Sequence, residues 1–308
     1  MVLKEEILLC NSCGEKTLFS DLSVKDPLSS KLYTILKCSK CGLGHTFPIK
    51  ADFNSIYPNS YYGNRHGFTE SYCIKRRIRR LLFINREENE KRLLDVGCGN
   101  GALIRNIRKR LGWLVAGTEI NSMASKLDEL YIGRCIEDVT NVAPFDYVTM
   151  WHTLEHMSGL NNILMEINKV MRKDGKLIIA VPNNNSLQAR YFKNKWFHLD
   201  VPRHRFHFDD MSLGKLLNKN GFEIIYKWYQ EIEYDLLGWI QSALNTMFSD
   251  QNVFFDYFRD KKINKYSFKN VMNLCLGLML IPFSFLMVMF ELILKRSGTI
   301  VVVARQIR

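Results

Sequence analysis

Four of the eight cysteines fall in two matched turns, Cys10-Asn11-Ser12-Cys13-Gly14 and Cys38-Ser39-Lys40-Cys41-Gly42. The two pairs are separated by 24 residues. Thiolates from two such turns surround a Zn²⁺ tetrahedrally, and the glycine after each pair relieves crowding where backbone N–H groups turn toward sulfur. Four protein ligands leave no open coordination position, so such a metal serves structure or recognition and not chemistry. A redox C-x-x-C is the alternative for either pair taken alone. The segment between the pairs is long enough for a small β-hairpin. The expectation for residues 1–50 is therefore a zinc ribbon with Cys10, Cys13, Cys38 and Cys41 as ligands. Cys73, Cys98, Cys135 and Cys275 have no such partners and read as buried or incidental.

A second chemical signal runs from Leu93 to Gly101. An apolar strand, Leu93 to Val96, enters a turn with glycine at positions 97, 99 and 101, and a helix follows from Ala102 to Arg110. Glycines there let the backbone bend and a ligand approach, and the helix N-terminus favours a negatively charged group. The next predicted strand, Trp113 to Glu119, ends in an acid that can take both ribose hydroxyls of a nucleoside. A solvated strand end is the alternative for Glu119. The turn reads G-x-G-x-G after Asp95, not the G-x-G-x-x-G of a dinucleotide fold. It suits an amino acid joined to a nucleoside.

The chain here resembles the class I S-adenosylmethionine (SAM)-dependent methyltransferases. The resemblance rests on DVGCGNG at 95–101, GTEI at 117–120, FDYVTMWHTLEHM at 145–157 and GKLIIAVPN at 175–183. It runs from about Leu93 to Asn183, with tail elements at Gly221 and Gly298. It implies an α/β fold, a Rossmann-like, mostly parallel sheet with an antiparallel last strand. It also implies that Gly97, Gly99 and Gly101 line the methionine part, with Asp95 and Cys98 in the same motif. Glu119 would bind the ribose with Ile120 beside it, Asp138 would lie near the adenine, and Trp151 and His152 would flank the methyl donor.

The elements that position these residues follow from periodicity. Phe145 to Met150 reads as the fourth strand, and Trp151 to His156 run off its C-terminal end, where open α/β sheets bind ligands. His156 is a candidate base, with a structural hydrogen-bonding role as the alternative. Asn161 to Met171 reads as an amphipathic helix with Ile163, Leu164, Ile167, Val170 and Met171 inward, and Leu177 to Val181 as the fifth strand. The segment Trp196 to Phe208 gathers three histidines and two arginines into a predicted substrate-side wall. Methyl transfer from a sulfonium mainly needs alignment and, for a hydroxyl acceptor, a base. His204 and His207 are the candidates, and a loop packed without proton transfer is the alternative. A helix to Asn220, a strand from Phe222 to Trp228 and a last strand from Gly298 to Ala304 complete the core.

Residues 51–92 read as a helical cap or linker. Tyr57, Tyr61 and Tyr62 suggest a lid-like stretch. Lys75, Arg76, Arg77, Arg79 and Arg80 share a helix with an apolar stripe of Ile74, Ile78, Leu81 and Leu82, giving either a solvated face or a phosphate contact. The core is expected over 93–230 and 297–308, with a hydrophobic insertion at 231–296. Within it, Val271 to Phe290 are 20 residues without charge, enough by length to cross a bilayer. A crossing would leave the final strand on the wrong side of the membrane from its sheet. Pro282, with Lys261, Lys262, Lys265 and Lys269 before the run and Lys295 and Arg296 after it, fits a helical hairpin or an in-plane helix instead. A buried helix in a homodimer interface is the rival.

The 308 residues carry 43 Lys and Arg against 31 Asp and Glu, a net charge of +12, which fits anionic lipid, nucleic acid or phosphorylated substrates without choosing among them. Charged residues in Met1 to Leu9 argue against a secretory signal, so the expectation is a cytoplasmic protein, peripheral or monotopic at the inner face of the membrane. The expected function is SAM-dependent O-methylation of a lipid-linked, glycan-assembly or quinone-like acceptor. A non-catalytic zinc-ribbon scaffold and an RNA methyltransferase are the alternatives. The intact glycine turn and Glu119 favour an enzyme. The lack of an aromatic-plus-amide motif after the fourth strand argues against nucleic acid.

Overall fold

The computed structural model describes residues 9–16, 19–48, 69–85, 90–120, 131–259 and 267–307. Tyr57, Tyr61, Tyr62, Lys261, Lys262 and Lys265 lie outside the described residues. Three strands come first: Phe19–Lys25 (β1), Leu32–Lys37 (β2) and Gly44–Phe47 (β3). Arg92–Val96 (β4), Leu114–Thr118 (β5), Tyr131–Gly133 (β6), Phe145–Trp151 (β7) and Met171–Pro182 (β8) follow. Phe206–His207 (β9), Phe222–Trp228 (β10) and Thr299–Gln306 (β11) complete the series. The chain divides into two compact units. One is residues 68–181, 214–228 and 301–308, and the other is residues 1–67, 182–213 and 229–300.

The first unit holds a seven-stranded sheet in the order β10-β11-β8-β7-β4-β5-β6. β4 pairs in parallel with β5 and β7, β5 with β6 and β7 with β8, while β10 and β11 are antiparallel. This is the expected Rossmann-like arrangement, mostly parallel with an antiparallel last strand. The central strands are apolar on both faces because helices cover them, as parallel sheets require. Leu103, Ile104 and Ile107 of the helix Ala102–Leu111 are buried against the sheet, and Trp113 stacks on Tyr147 at 5.2 Å between ring centroids. β8 begins earlier than the expected Leu177, because the chain passes directly from the helix Leu160–Val170 into extended backbone at Met171. Gly175 allows this, since a Cβ there would come 2.8 Å from the Arg172 carbonyl oxygen. In the helix Glu70–Ile84 the buried face is Cys73, Ile74, Arg77, Ile78, Arg80 and Leu81. Leu82, expected in that stripe, is exposed, because it lies one residue past the i, i+4, i+7 positions that face inward.

In the second unit the sheet order is β1-β2-β3-β9. The N-terminal hairpin is thus extended by a strand from far along the chain, with Gly44 opposite His207 and His45 opposite Phe206. Val24, Tyr33 and Ile35 pack with Trp196, Leu199 and Trp239. A buried Arg203 bridges Asp26 at 2.8 Å and Asp200 at 2.6 Å.

The apolar run of the insertion forms two helices, Phe268–Met279 and Ile281–Ile293. Among the described residues no single helix is long and apolar enough to cross a membrane, though this pair passes that test jointly and bends by 49°. The break sits at Leu280, and Pro282 occupies the first turn of the second helix, where its missing N–H costs nothing. The outward face of the pair is apolar, and its inward face mixes polar side chains with apolar ones. Asn273, Gly277, Ser284, Val288 and Glu291 are buried, whereas Phe268, Met279, Leu286 and Ile293 are exposed by 83, 75, 67 and 77%. Glu291 accepts hydrogen bonds from Gln188 N (3.0 Å), Gln188 Nε2 (3.1 Å) and Trp239 Nε1 (3.0 Å), which satisfies a carboxylate that burial would otherwise penalise.

Candidate active site

The glycine turn joins β4 to the helix Ala102–Leu111, with Gly97, Gly99 and Gly101 at φ 76°, 57° and 70°. These left-handed values favour glycine at all three positions. The reasons differ along the turn. A Cβ at Gly97 would strike the Thr153 side chain at 2.5 Å, while one at Gly99 would meet nothing within 4 Å. Packing therefore does not require glycine at 99, and the open space beside it is where a ligand can approach the backbone. Cys98 is buried beneath, its Sγ 2.6 Å from the position a Cβ on Gly117 would take.

Two carboxylates frame the turn. Glu119, just past β5, accepts from the Gly99 N–H at 2.9 Å. Asp95 is buried on β4, and its Oδ1 accepts from the Thr149 hydroxyl at 2.6 Å. Burial raises the Asp95 carboxyl to about 6, against the pull of Thr149 and of the Arg77 charge. Ile120 follows Glu119 and is exposed. Asp138, in the short turn after β6, accepts from the N–H groups of Arg134 (2.7 Å) and Cys135 (3.1 Å), which hold it below the usual carboxylate range.

At the end of β7, Trp151 and His152 are buried, and the Arg77 guanidinium lies over the Trp151 ring at 4.8 Å. His152 sits at φ 52° with its Nδ1 3.6 Å from Glu155 Oε1, and its N–H reaches the Ala180 oxygen at 2.9 Å. His156 closes the one-turn helix Leu154–His156 and is half-buried. The first unit thus brings Asp95, Gly97, Cys98, Gly99, Gly101, Glu119, Ile120, Trp151 and His152 to the C-terminal ends of β4, β5 and β7, with Asp138 beyond β6.

His204 and His207 belong to the other unit. His204 Nδ1 lies 2.9 Å from the His198 carbonyl oxygen. His207 is fully buried on β9, 2.9 Å from the Thr46 hydroxyl, and burial pushes its ring down to about 3. In the same unit the cysteine turns mirror each other. Gly14 N–H reaches Cys10 O at 2.8 Å and Gly42 N–H reaches Cys38 O at 2.9 Å, with φ 79° and 84° at the two glycines. Cys10 and Cys41 sulfurs are 3.5 Å apart, Cys13 and Cys38 sulfurs 3.6 Å, and all four lie within 4.8 Å of one another. Thiolates tetrahedral about a metal at roughly 2.3 Å would be separated by roughly 3.8 Å, so the donor set fits such an ion. Burial raises the Cys38 thiol, yet the N–H groups of Cys41 and Lys40 bring it down to about 7.

Sequence reasoning did not single out Arg77, Thr149 or Thr46. Arg77 was legible in principle, because it stands three residues after Ile74 and four after Cys73 on the buried stripe. Thr149 faces Asp95 through strand register, and Thr46 meets the histidine segment through a pairing of distant strands. Neither leaves a local pattern.

Residues 65–227 match the profile of the family described as Methyltransferase domain. The ubiquinone biosynthesis O-methyltransferase of Glaesserella parasuis serovar 5 is 27% identical over 126 residues, covering 35% of this chain and 53% of that protein. An uncharacterised protein of Methanocaldococcus jannaschii is 32% identical over 155 residues, 47% of this chain and 61% of that protein. The chain thus spans about half the length of the curated relatives it matches. Haemonchus contortus phosphoethanolamine N-methyltransferase 2, solved with phosphomonomethylethanolamine and S-adenosylhomocysteine, superposes with a TM-score of 0.51 at 12% identity. That likeness covers 90% of this chain and 63% of the other, and it concerns the fold alone.

Proposed function

The chain belongs to the methyltransferase-domain family, and from that premise we propose that it transfers the methyl group of SAM to an oxygen of a lipid-linked or quinone-like acceptor. The observation that carries the reading is the Gly97–Gly99–Gly101 turn, open beside Gly99 and closed on Glu119. These residues fit an amino-acid nucleoside. The glycine turn admits the methionyl end, Glu119 exchanges its Gly99 hydrogen bond for the ribose hydroxyls, and Asp138 and Ile120 lie toward the adenine. Bound SAM supplies a methyl group already activated as a sulfonium. The protein's share is then alignment and removal of the acceptor proton. His204 is the proposed proton acceptor, with His156 as the second candidate. His207 is too weakly basic at about 3 and takes a positioning role.

The acceptor class draws on the helix pair 268–293 and on the O-methyltransferase names among the relatives. A helix pair with an apolar outward face suits the lipid phase. It would hold the protein at a membrane surface where lipid-linked, glycan-assembly or quinone-like substrates reside. The cysteine cluster is proposed to hold one structural Zn²⁺.

Mass spectrometry of lipid extracts from a strain lacking the gene tests this directly. The expected result is an acceptor lighter by one methyl group, which the purified chain converts with SAM. Extracts without such a species remove the acceptor assignment. In vesicle flotation, binding to anionic bilayers is expected. A dimer that stays free of vesicles makes the helix pair a subunit interface instead.

A further inference from the structure

One cleft lies wholly within the second unit, between the end of β1, the Asn194 to Val201 segment and the chain at Asn245 to Asn252. It measures about 270 Å³ with its open mouth included, just below the range of drug-sized sites. Its rim is polar and largely unpaired. Lys25, Asn194 and Gln251 make no side-chain hydrogen bond to the described residues. The Asn252 side chain engages only its oxygen, which accepts from Asn245 Nδ2 at 3.1 Å. Asn245 is buried and braced, accepting from Gln241 Nε2 at 2.8 Å and from the Asn252 N–H at 2.9 Å. The wall is aromatic: the half-buried Phe197, and Trp196, whose indole N–H is committed to Gln188 at 2.9 Å. Asp200 (φ 34°) and Asn252 (φ 64°) line the cleft and Lys193 (φ 49°) precedes Asn194, a grouping of strained backbone that marks ligand clamps.

Each amide offers a donor and an acceptor, the match for neighbouring hydroxyls, and an aromatic wall takes the C–H face of a saturated ring. Arg203 bridges Asp26 and Asp200 beside Lys25, so two cations balance two carboxylates and a free anion gains no net attraction. A quinone presents acceptors and no donor, which would leave the amide oxygens unmatched. The cleft is also joined to the apolar helix pair. Lys269, in the first turn of the helix Phe268–Met279, donates to Ser249 Oγ and Asp250 Oδ2, both at 2.8 Å. A Cβ on Gly277 of that helix would overlap the Phe254 ring, so the loop bearing Gln251 and Asn252 is anchored on both sides.

We infer that this cleft binds a sugar ring of a lipid-linked acceptor. The inference rests on the proposed methyl transfer to a lipid-phase acceptor and narrows that acceptor from lipid-linked or quinone-like to a glycolipid.

The full chain is incubated with methyl-labelled SAM and the lipid extract of the strain lacking the gene, and the product is hydrolysed with acid that cleaves glycosidic and glycosyl-phosphate bonds. The label is expected in the water-soluble saccharide fraction. Label that stays with the lipid, as in a methylated quinone, overturns the inference and leaves the methyltransferase reading standing. No labelled product overturns both. Gln251→Leu and Lys25→Met alter side chains without partners in the fold. Each is expected to raise the KM for the acceptor in the extract about tenfold, the worth of one hydrogen bond, with S-adenosylhomocysteine affinity unchanged. An unchanged KM in both variants overturns the assignment of the sugar to this cleft.

Discussion

The Thr46 hydroxyl donates to the main-chain oxygen of His204 at 2.6 Å, joining residues 158 apart in the chain. With that proton placed, the His207 Nε2 at 2.9 Å from the same hydroxyl must be the donor. His204 Nδ1, facing the His198 carbonyl, also carries its hydrogen, which makes Nε2 the basic nitrogen of the His204 ring. The N-terminal sheet therefore holds the histidine segment through a relay, while the His198 carbonyl sets His204 in the tautomer that the proposed proton acceptor needs.

Thr46→Val removes that relay without changing side-chain volume much. Methyl-transfer turnover is expected to fall about tenfold, the worth of one buried hydrogen bond, with S-adenosylhomocysteine affinity unchanged. His204→Ala is expected to cost on the order of 10²-fold or more in turnover, again without loss of affinity. Steady-state kinetics beside calorimetry separates the two effects. Parallel losses in both quantities assign the histidine segment a packing role only.

The sulfur geometry predicts one zinc per chain by elemental analysis, and Cys38→Ser should lose it. Because β9 pairs with β3, the loss should not stay within the cysteine turns. Hydrogen exchange at Phe206 and His207 is expected to accelerate on chelation. Unchanged protection there uncouples the metal from the strand pairing.

Gly99→Val forces a β-branched residue to φ 57°, and Glu119→Ala removes the acceptor of the Gly99 N–H. Each is expected to lower S-adenosylhomocysteine affinity by about 10-fold or more, the Gly99 change through strain and occlusion. Calorimetric affinities equal to wild type in both variants contradict the placement of the nucleoside.

Asp95 sets a pH signature. Its folded pKa of about 6 lies above the ordinary 3.8, so the folded state holds the proton more tightly than the unfolded chain does. Stability from this group is complete below pH 3.8 and is lost as pH rises through 6. Asp95→Asn removes that dependence and should gain about 3 kcal/mol relative to wild type at pH 8 compared with pH 3. Denaturant titrations at both pH values check the sign. A variant equally displaced from wild type at both means Asp95 is not buried as its acid.

The sheet was legible because its signals are local. Leu93–Val96, the glycines and Glu119 lie in one βαβ stretch whose chemistry needs those residue types, and β10 matches its expected bounds at Phe222 and Trp228. The cysteine turns were legible for the same reason. What the sequence hid is non-local. Nothing near Phe206 and His207 marks them as the fourth strand of the N-terminal sheet, because two residues carry no periodicity. The basic residues of the 70–84 helix look alike in sequence, yet Arg77 is buried and Arg79 is not, a difference set by the helix phase against β7. The uncharged run from Val271 read as one segment, and its division at Leu280 turns on a proline that is harmless in a first turn and disruptive within a helix.

The pairing of β3 with β9 also governs the order in which the chain can fold. During synthesis the cysteine turns emerge early and can take up metal, but β3 has no partner on its outer edge until residue 207 has left the ribosome. For about 160 residues of elongation that edge presents unpaired N–H and C=O groups, a template for pairing with another nascent chain. An excised fragment of residues 1–50 keeps the bare edge permanently. It should therefore self-associate even with the proposed Zn²⁺ bound, with association suppressed by a peptide spanning residues 203–209.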